Sequence, residues 1–323
     1  MRGSACGETE RTKEKCKMRA EQMNLGYIGL GNMGGALASR LQLSRELIVF
    51  DRDPAVTERL VALGAQPARE AAELAAGCEV VLLCLPTSDH VHTVLFGEGG
   101  IAEVLRPGTI VIDQTTGDPI ATRAMAQRLR QQDVQMIDAP VSGGITAAQA
   151  GTIAIMVGAD PGQFETVQPI LADISPNIFH AGGVGNGQVI KLVNNLLSHA
   201  QRLLSLEALA LADKNGVNSR TAHEILMASG GRNAYLEKSF GPRVMLGNLS
   251  PGFTLGLAHK DVRLATDLAR VSGVPSLFGG IARELYQLCI AENGAEAQVD
   301  TAALVIDRWA KTRVVPQDGE TAG

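Results

Sequence analysis

The sequence predicts an α/β chain, in which an N-terminal, doubly wound parallel sheet is followed by an all-helical C-terminal half. Three observations carry this. Over the first 180 or so residues, short apolar runs alternate with helical patterns, the rhythm of a parallel sheet with helical crossovers. Beyond the cluster Gly182-Gly183-Val184-Gly185-Asn186-Gly187 the strand-like runs stop and apolar residues recur at helical spacing. Finally, 36 glycines against 3 % aromatic residues suit many tight strand–helix turns better than an all-β sandwich.

The elements follow in order. Leu25–Gly29 is an apolar run closed by glycine, and a helical pattern runs from Met33 to Leu43. Glu46–Phe50 is the next strand, with a helix from Pro54 to Leu63. Val80–Leu85, the longest apolar run with its end at Pro86, is a buried strand. Thr109–Asp113 follows the turn Arg106-Pro107-Gly108, and Asp118-Pro119 then opens a helix with an N-cap acid and a proline at the first helical position. Val134–Asp138, Thr152–Val157 and Asn177–His180 are the later strands. From Gln188 to about Lys214 no proline interrupts a pattern carrying Leu192, Leu196, Leu203, Leu206 and Leu209, so one long helix is expected there. Helices over 219–228, 234–246, 254–272, 276–292 and 299–311 complete the chain.

Composition narrows the function classes. The 323 residues are 45 % hydrophobic and 20 % charged, which suits a folded chain and excludes a disordered or fibrous one. A net charge of −5 without a basic stripe speaks against a nucleic-acid partner. No run approaches the roughly 18 apolar residues of a membrane span. Residues 1–22 are densely charged and lack the apolar core of a signal peptide, so they are expected to be a flexible extension, vector-derived or an over-long start. Cys6, Cys16, Cys78, Cys84 and Cys289 show no C-x-x-C or zinc spacing and are expected to be reduced thiols in a cytoplasmic protein, with no metal site.

Gly29-Leu30-Gly31-Asn32-Met33-Gly34 is a G-x-G-x-x-G between the first strand and the first helix. The first glycine permits a tight turn, the second lets the backbone approach a pyrophosphate, and the third lets helix and strand pack closely. The helix N-terminus offers its free N–H groups to phosphates. Asp51 closes the second strand, where a carboxylate accepts hydrogen bonds from an adenosine ribose. These features predict a Rossmann-type dinucleotide site. A carboxylate at Asp51 also repels a 2′-phosphate, by about 1 kcal/mol per charge pair in water and nearer 4 at an effective dielectric of about 20. That favours NAD, although Arg52 can soften the repulsion and leaves NADP as the alternative.

Three further motifs follow in sequence: Asp138-Ala139-Pro140-Val141-Ser142-Gly143-Gly144, the run Gly185-Asn186-Gly187-Gln188-Val189-Ile190-Lys191-Leu192-Val193-Asn194-Asn195, and Lys260-Asp261. With the glycine loop, and in this order, they closely resemble the β-hydroxyacid dehydrogenase family, which includes 3-hydroxyisobutyrate dehydrogenases and tartronate semialdehyde reductases. The resemblance covers about residues 24–312 and is specific for the family, not for a substrate.

The resemblance implies a dinucleotide-binding domain over 23–184 and a helical substrate and dimerisation domain over 185–314, with the active site between them and a tail over 315–323. It makes Lys191 the general acid/base. The residues agree: a lysine exchanges an alcohol proton near neutral pH only if its pKa falls, and a helix start, burial and a nearby nicotinium ring all push that way. Asn194 and Asn195 share its helix face and can hold substrate or orient the lysine. The resemblance places the substrate carboxylate on the loop Ser142, Gly143 and Gly144, whose glycines expose N–H groups. It places Leu85, Pro86, Thr116 and Lys260 against the cofactor. Ligands at the carboxyl ends of parallel strands support Leu85, Pro86 and Thr116 independently. Asp138 is assigned no more than a structural role. Arg232, in Ser229-Gly230-Gly231-Arg232-Asn233, is either a second carboxylate ligand or a solvated loop arginine. His180, His199, His223 and His259 are expected to be structural.

The implied reaction is hydride transfer between NAD and a small β-hydroxy acid, or the reverse reduction of a semialdehyde. Two other readings compete. Imine reductases share the architecture but commonly lack the lysine and favour NADP, against both Lys191 and Asp51. Non-catalytic, chromatin-associated relatives carry extra domains and replace the lysine. A homodimer or homotetramer is expected, because the long helix packs against a partner subunit in the family.

Overall fold

Strand β1 (Leu25–Ile28) is buried at every residue and lies at the centre of a parallel array, between β2 (Leu47–Phe50) and β4 (Val80–Leu83). The structure is a computed structural model that describes residues 22–316. The extension expected over 1–22, with Cys6 and Cys16, and the tail over 315–323 lie outside the described residues except for residues 22, 315 and 316.

The sheet order is β3-β2-β1-β4-β5-β6-β8-β7, with β9 beside β8; β3 is Gln66–Pro67, β5 Ile110–Asp113, β6 Gln135–Asp138, β7 Val141–Ser142, β8 Ala154–Gly158 and β9 Ile178–Gly182. Successive residues of a strand point to opposite faces. In β4, Val80 and Leu82 enter one apolar core and Val81 and Leu83 a second core on the other face. Helices therefore cover both faces, and the central strands read as unbroken apolar runs. The helices of this part are α1 (Asn32–Gln42), α2 (Pro54–Val61), α3 (Ala71–Gly77), α4 (Ser88–Phe96), α5 (Pro119–Arg130), α6 (Gly144–Ala150) and α7 (Pro161–Ala172). Asp53 and Asp118 cap α2 and α5 through the N–H groups of Ala55 and Ile120. Helices α3 and α4 fall in stretches where the apolar pattern alone predicts none.

The sheet is not wholly parallel. β8 runs antiparallel to β6, pairing Asp138 with Gly158, and antiparallel to β7, pairing Val141 with Ile155. Both pairings keep one register, and Met156 N–H donates to Pro140 O across the gap (2.9 Å), so β6 and β7 act as a single strand broken at Ala139-Pro140. A parallel return needs a crossover of a dozen or more residues. The short segment from Gly143 to Ile153, mostly α6, turns the chain back antiparallel instead.

The chain divides into two compact units, one ending at Lys191 and one starting at Leu192. The division falls inside α8 (Asn186–Lys214), the 29-residue helix that the apolar spacing predicts. The second unit is all-helical: α9 (Ser219–Met227), α10 (Leu255–Val271), α11 (Leu277–Asn293) and α12 (Ala302–Ala310) pack around Leu206, Leu209, Phe240, Val262 and Tyr286. The helix expected over 234–246 is instead a π turn, Leu236–Phe240, and a 3-10 turn, Val244–Leu246. Two causes are local: the Asn233 carboxamide accepts the N–H groups of Tyr235 and Leu236, and Pro242 has no N–H to continue a helix. Among the described residues no helix is long and apolar enough to cross a membrane.

Candidate active site

The glycine loop shows why each glycine is there. Gly29 has φ +92°, and a Cβ on it would stand 2.4 Å from Cys84 O, so only glycine makes this turn. A Cβ on Gly34 would stand 2.0 Å from Gly29 O, which is what lets α1 press against the end of β1. Gly31 is the opposite case: nothing lies within 4 Å of an added Cβ. Gly31 also occupies the N-cap of α1 and supplies no side-chain cap. The first N–H groups of α1 thus face an open approach, as a phosphate requires. Leu30 and Met33 send their side chains inward to the core, while Gly31 and Asn32 are exposed.

Asp51 anchors this loop. Its carboxylate accepts the N–H of Leu30 at 2.6 Å and of Asp53 at 2.9 Å. A carboxylate offers about four acceptor positions, so room remains for ribose hydroxyls. Arg52, next to it, is exposed. The open Gly31, the uncapped helix start and the spare capacity of Asp51 together fit the phosphate and ribose of a dinucleotide.

Two loops at the carboxyl ends of β4 and β5 flank this site. Leu85 N–H donates to Thr115 Oγ1 (3.0 Å), and Ser88 Oγ accepts the N–H of Asp118 (2.8 Å). Thr115 N–H is held by Asp113 Oδ1 at 3.0 Å. These contacts bring Leu85, Pro86 and Thr116 onto two loops tied to each other. Ser142 ends β7, and Gly143 (φ +143°) and Gly144 (φ +78°) carry the chain into α6, conformations that favour glycine. An added Cβ on Gly144 would meet nothing within 4 Å.

Lys191 is buried, at 8 % exposure, in the second turn of α8. The start of that helix is fixed by Asp138, whose carboxylate accepts Gly185 N–H (2.6 Å) and Gln188 N–H (2.7 Å). Burial pushes the Asp138 carboxyl up to about 6, even though these backbone N–H groups and the Arg123 charge favour ionisation. Asp138 therefore works as the N-cap of α8. Gln188, fully buried, lies within the Gly185–Asn195 motif, which assigns it no role. Its signal lies in strand-end acids: Asp51, Asp113 and Asp138 all close strands and all accept loop or helix N–H groups.

In the second unit, Asn195 is buried and donates to Asp261 Oδ2 at 2.7 Å, while Asn194 donates to Asn195 Oδ1 at 3.0 Å. Lys260 Nζ lies 3.3 Å from Asp261 Oδ1, and His199 Nε2 3.8 Å from Oδ2. Asp261 is thus the hub of a buried polar group that the sequence pattern names only as the neighbour of Lys260. Arg232 pairs with Glu237 at 3.0 Å, with both side chains largely exposed. His180 contacts Ala159 O and stacks on Phe164, and His223 contacts Leu236 O. His199 stacks on Phe253, and burial lowers the pKa of half-buried His259. Among the described residues no group of histidine, cysteine and acidic side chains could hold a metal ion.

Comparison with known proteins identifies the family of the chain. Residues 24–183 match the family model of the NAD-binding domain of 6-phosphogluconate dehydrogenase. Residues 185–306 match that of the NAD-binding domain of NADP-dependent 3-hydroxyisobutyrate dehydrogenase. The chain is 35 % identical to a 2-(hydroxymethyl)glutarate dehydrogenase of Eubacterium barkeri, over 83 % of this chain and 89 % of that protein. It is 36 % identical to an NAD-dependent L-serine dehydrogenase of Pseudomonas aeruginosa, over 88 % and 97 %. The solved structure of Mycobacterium tuberculosis 3-hydroxyisobutyrate dehydrogenase with L-serine superposes with a TM-score of 0.80 at 27 % identity, covering 88 % of this chain and 99 % of that one.

Proposed function

The chain belongs to the β-hydroxyacid dehydrogenase family and is an NAD(P)-dependent oxidoreductase, and from that premise we propose that it moves a hydride between NAD and the hydroxyl-bearing carbon of a small β-hydroxy acid. The observation that carries this is Lys191, a buried lysine on a helix fastened to the strand-end loops. Bound NAD(P) supplies the hydride acceptor. The N–H groups at the start of α1 hold its phosphates, and Asp51 accepts from the adenosine ribose. Leu85, Pro86 and Thr116, on the two strand-end loops, would hold the rest of the cofactor, and the repulsion between Asp51 and a 2′-phosphate would set the preference for NAD.

Ser142, Gly143 and Gly144 present main-chain N–H groups to the substrate carboxylate. Asn194 and Asn195 position the hydroxyl and the lysine. In the oxidative direction Lys191 Nζ takes the hydroxyl proton as the carbon loses hydride; in the reductive direction it returns that proton to the new alkoxide oxygen. The 2-(hydroxymethyl)glutarate and L-serine in the relatives' names both carry a CH2OH group on the carbon beside a carboxyl. That supports a 3-hydroxyisobutyrate-like acid, or its semialdehyde, as substrate. The outer face of α8 exposes Ile190, Leu197, Leu204 and Leu211 at seven-residue intervals, which supports a homo-oligomer. A cytoplasmic location completes the reading.

The test follows absorbance at 340 nm with NAD or NADP and a panel of 3-hydroxyisobutyrate, glycerate, threonate, serine, 3-hydroxypropionate and 4-hydroxybutyrate. Activity that favours NAD and falls at least about 100-fold in Lys191→Ala, with NADH binding retained, supports the reading. Equal activity in Lys191→Ala refutes the role of the lysine. NADH binding without turnover of any acid refutes the substrate class.

A further inference from the structure

Gln188 makes three hydrogen bonds from a fully buried position on the first turn of α8. Its main-chain N–H goes to Asp138. Its side chain does something different: Nε2 donates to Thr115 O at 2.7 Å, and Oε1 accepts Gly117 N–H at 2.9 Å. The carboxamide therefore pairs with the main chain on both sides of Thr116, as a neighbouring strand would. A strand could not do this here, because the loop has left β5 and turns toward α5.

The same loop is tied from its other side. Leu85 N–H reaches Thr115 Oγ1, and a Cβ on Gly117 would stand 2.4 Å from Ser88 Oγ, whose oxygen also accepts Asp118 N–H. The Gln188 side chain thus ties to α8 the β5 loop, which is itself held to the β4 loop. Three residues further along α8, on the same side of the helix, is Lys191.

We infer that Gln188 is a positioning residue, which fixes the backbone of Lys191 against the Thr116 loop and so sets the proton-transfer group in register with the cofactor. The inference rests on the acid/base reading of Lys191. Glutamine suits the place because the loop presents one acceptor and one donor, and a carboxamide matches both in one plane. Glutamate would set a carboxylate oxygen against Thr115 O. Methionine would leave Gly117 N–H and Thr115 O buried without partners.

The experiment is a double-mutant cycle in the full chain, with single-turnover hydride transfer, NADH affinity by fluorescence and a melting curve for each variant. A misplacement of about 1 Å costs on the order of 100-fold in rate. Gln188→Met should therefore lose about 100-fold in wild type but under about threefold in the Lys191→Ala background, since removing either member of a working pair removes most of the effect. NADH affinity should change little. Equal losses in both backgrounds would overturn the inference while leaving the role of Lys191 standing. Full activity in Lys191→Ala alone would overturn the acid/base reading and this inference with it.

Should Gln188→Met fail to fold, Gln188→Glu decides the matter. A protonated carboxyl again offers one donor and one acceptor, so the rate of Gln188→Glu relative to wild type should rise as pH falls. A ratio near one at every pH, or one that does not change with pH, would overturn the inference.

Discussion

Replacing two glycines of one loop by alanine should have opposite consequences. At Gly31 the backbone has φ −58° and ψ −168°, which alanine adopts without strain, and an added methyl meets no atom within 4 Å. Folding should be unaffected or slightly favoured, by up to about 1 kcal/mol through the unfolded chain. The methyl nevertheless stands in the open approach proposed for the pyrophosphate. Losing one charge-assisted hydrogen bond from the helix start costs about 1.5–3 kcal/mol, so NADH affinity should fall roughly 10- to 100-fold. At Gly34 the methyl would lie 2.0 Å from Gly29 O and 3.0 Å from Cys84 Cβ. The first is a backbone atom in a turn that cannot yield, so α1 must lift from β1 at a cost of about 1–3 kcal/mol or more. The assays are a melting curve without ligand and a fluorescence titration with NADH. The expected pattern is Gly31→Ala melting like wild type and binding weakly, and Gly34→Ala melting low. Wild-type NADH affinity in Gly31→Ala would refute the phosphate placement. Equal melting losses in the two variants would refute the packing account.

Three other predictions follow from the same geometry. Asp51→Asn removes the charge that opposes a 2′-phosphate, so the ratio of kcat/KM with NAD to that with NADP should fall at least about fivefold; an unchanged ratio would place discrimination elsewhere. Asp138 is pushed up to about 6 from an ordinary value near 3.8, so the fold favours its protonated form. That stabilisation is fully present below its ordinary pKa and is lost, by about 3 kcal/mol, as pH rises through about 6. The melting advantage of wild type over Asp138→Asn should therefore shrink between about pH 4 and 7; an advantage that grows with pH would contradict this. Asp300 is fully buried and pairs with both Arg202 and Arg243. Asp300→Ala strands two arginine charges, so the second unit should lose about 3–5 kcal/mol. The single tryptophan, Trp309, lies in that unit and reports its urea unfolding; a loss under about 1 kcal/mol would refute the assignment.

Features set by neighbouring residues were legible in the sequence. Gly34 packs as its spacing implies, because its close contact is with Gly29 O, five residues back, whereas the turn at Gly29 is also closed by Cys84 O from the neighbouring strand end. Asp53 and Asp118 cap the helices beside them for the same reason. Legibility failed where a distant partner decides. Asp138 and Gln188 meet across 50 positions, and Asn195 and Asp261 across 66; no local pattern records either.

Strand-end aspartates supply hydrogen-bond partners to the loops of the site, which have no strand ladder of their own. A parallel sheet leaves the N–H groups of its carboxyl-end loops without ladder partners. Asp51, Asp113 and Asp138 supply acceptors at three such ends, to Leu30, to Thr115, and to Gly185 and Gln188. Asp51 differs from the other two in the second task proposed for it, because it retains acceptor positions for ribose hydroxyls beyond those used by Leu30 and Asp53. Cofactor preference and loop anchoring are then coupled in one carboxylate. Exchanging Asp51 for a residue that welcomes a 2′-phosphate also releases the N–H of Leu30, the residue between the turning glycine and the open one. A switch of cofactor at this position should therefore weaken binding of both dinucleotides unless another acceptor takes the Leu30 N–H.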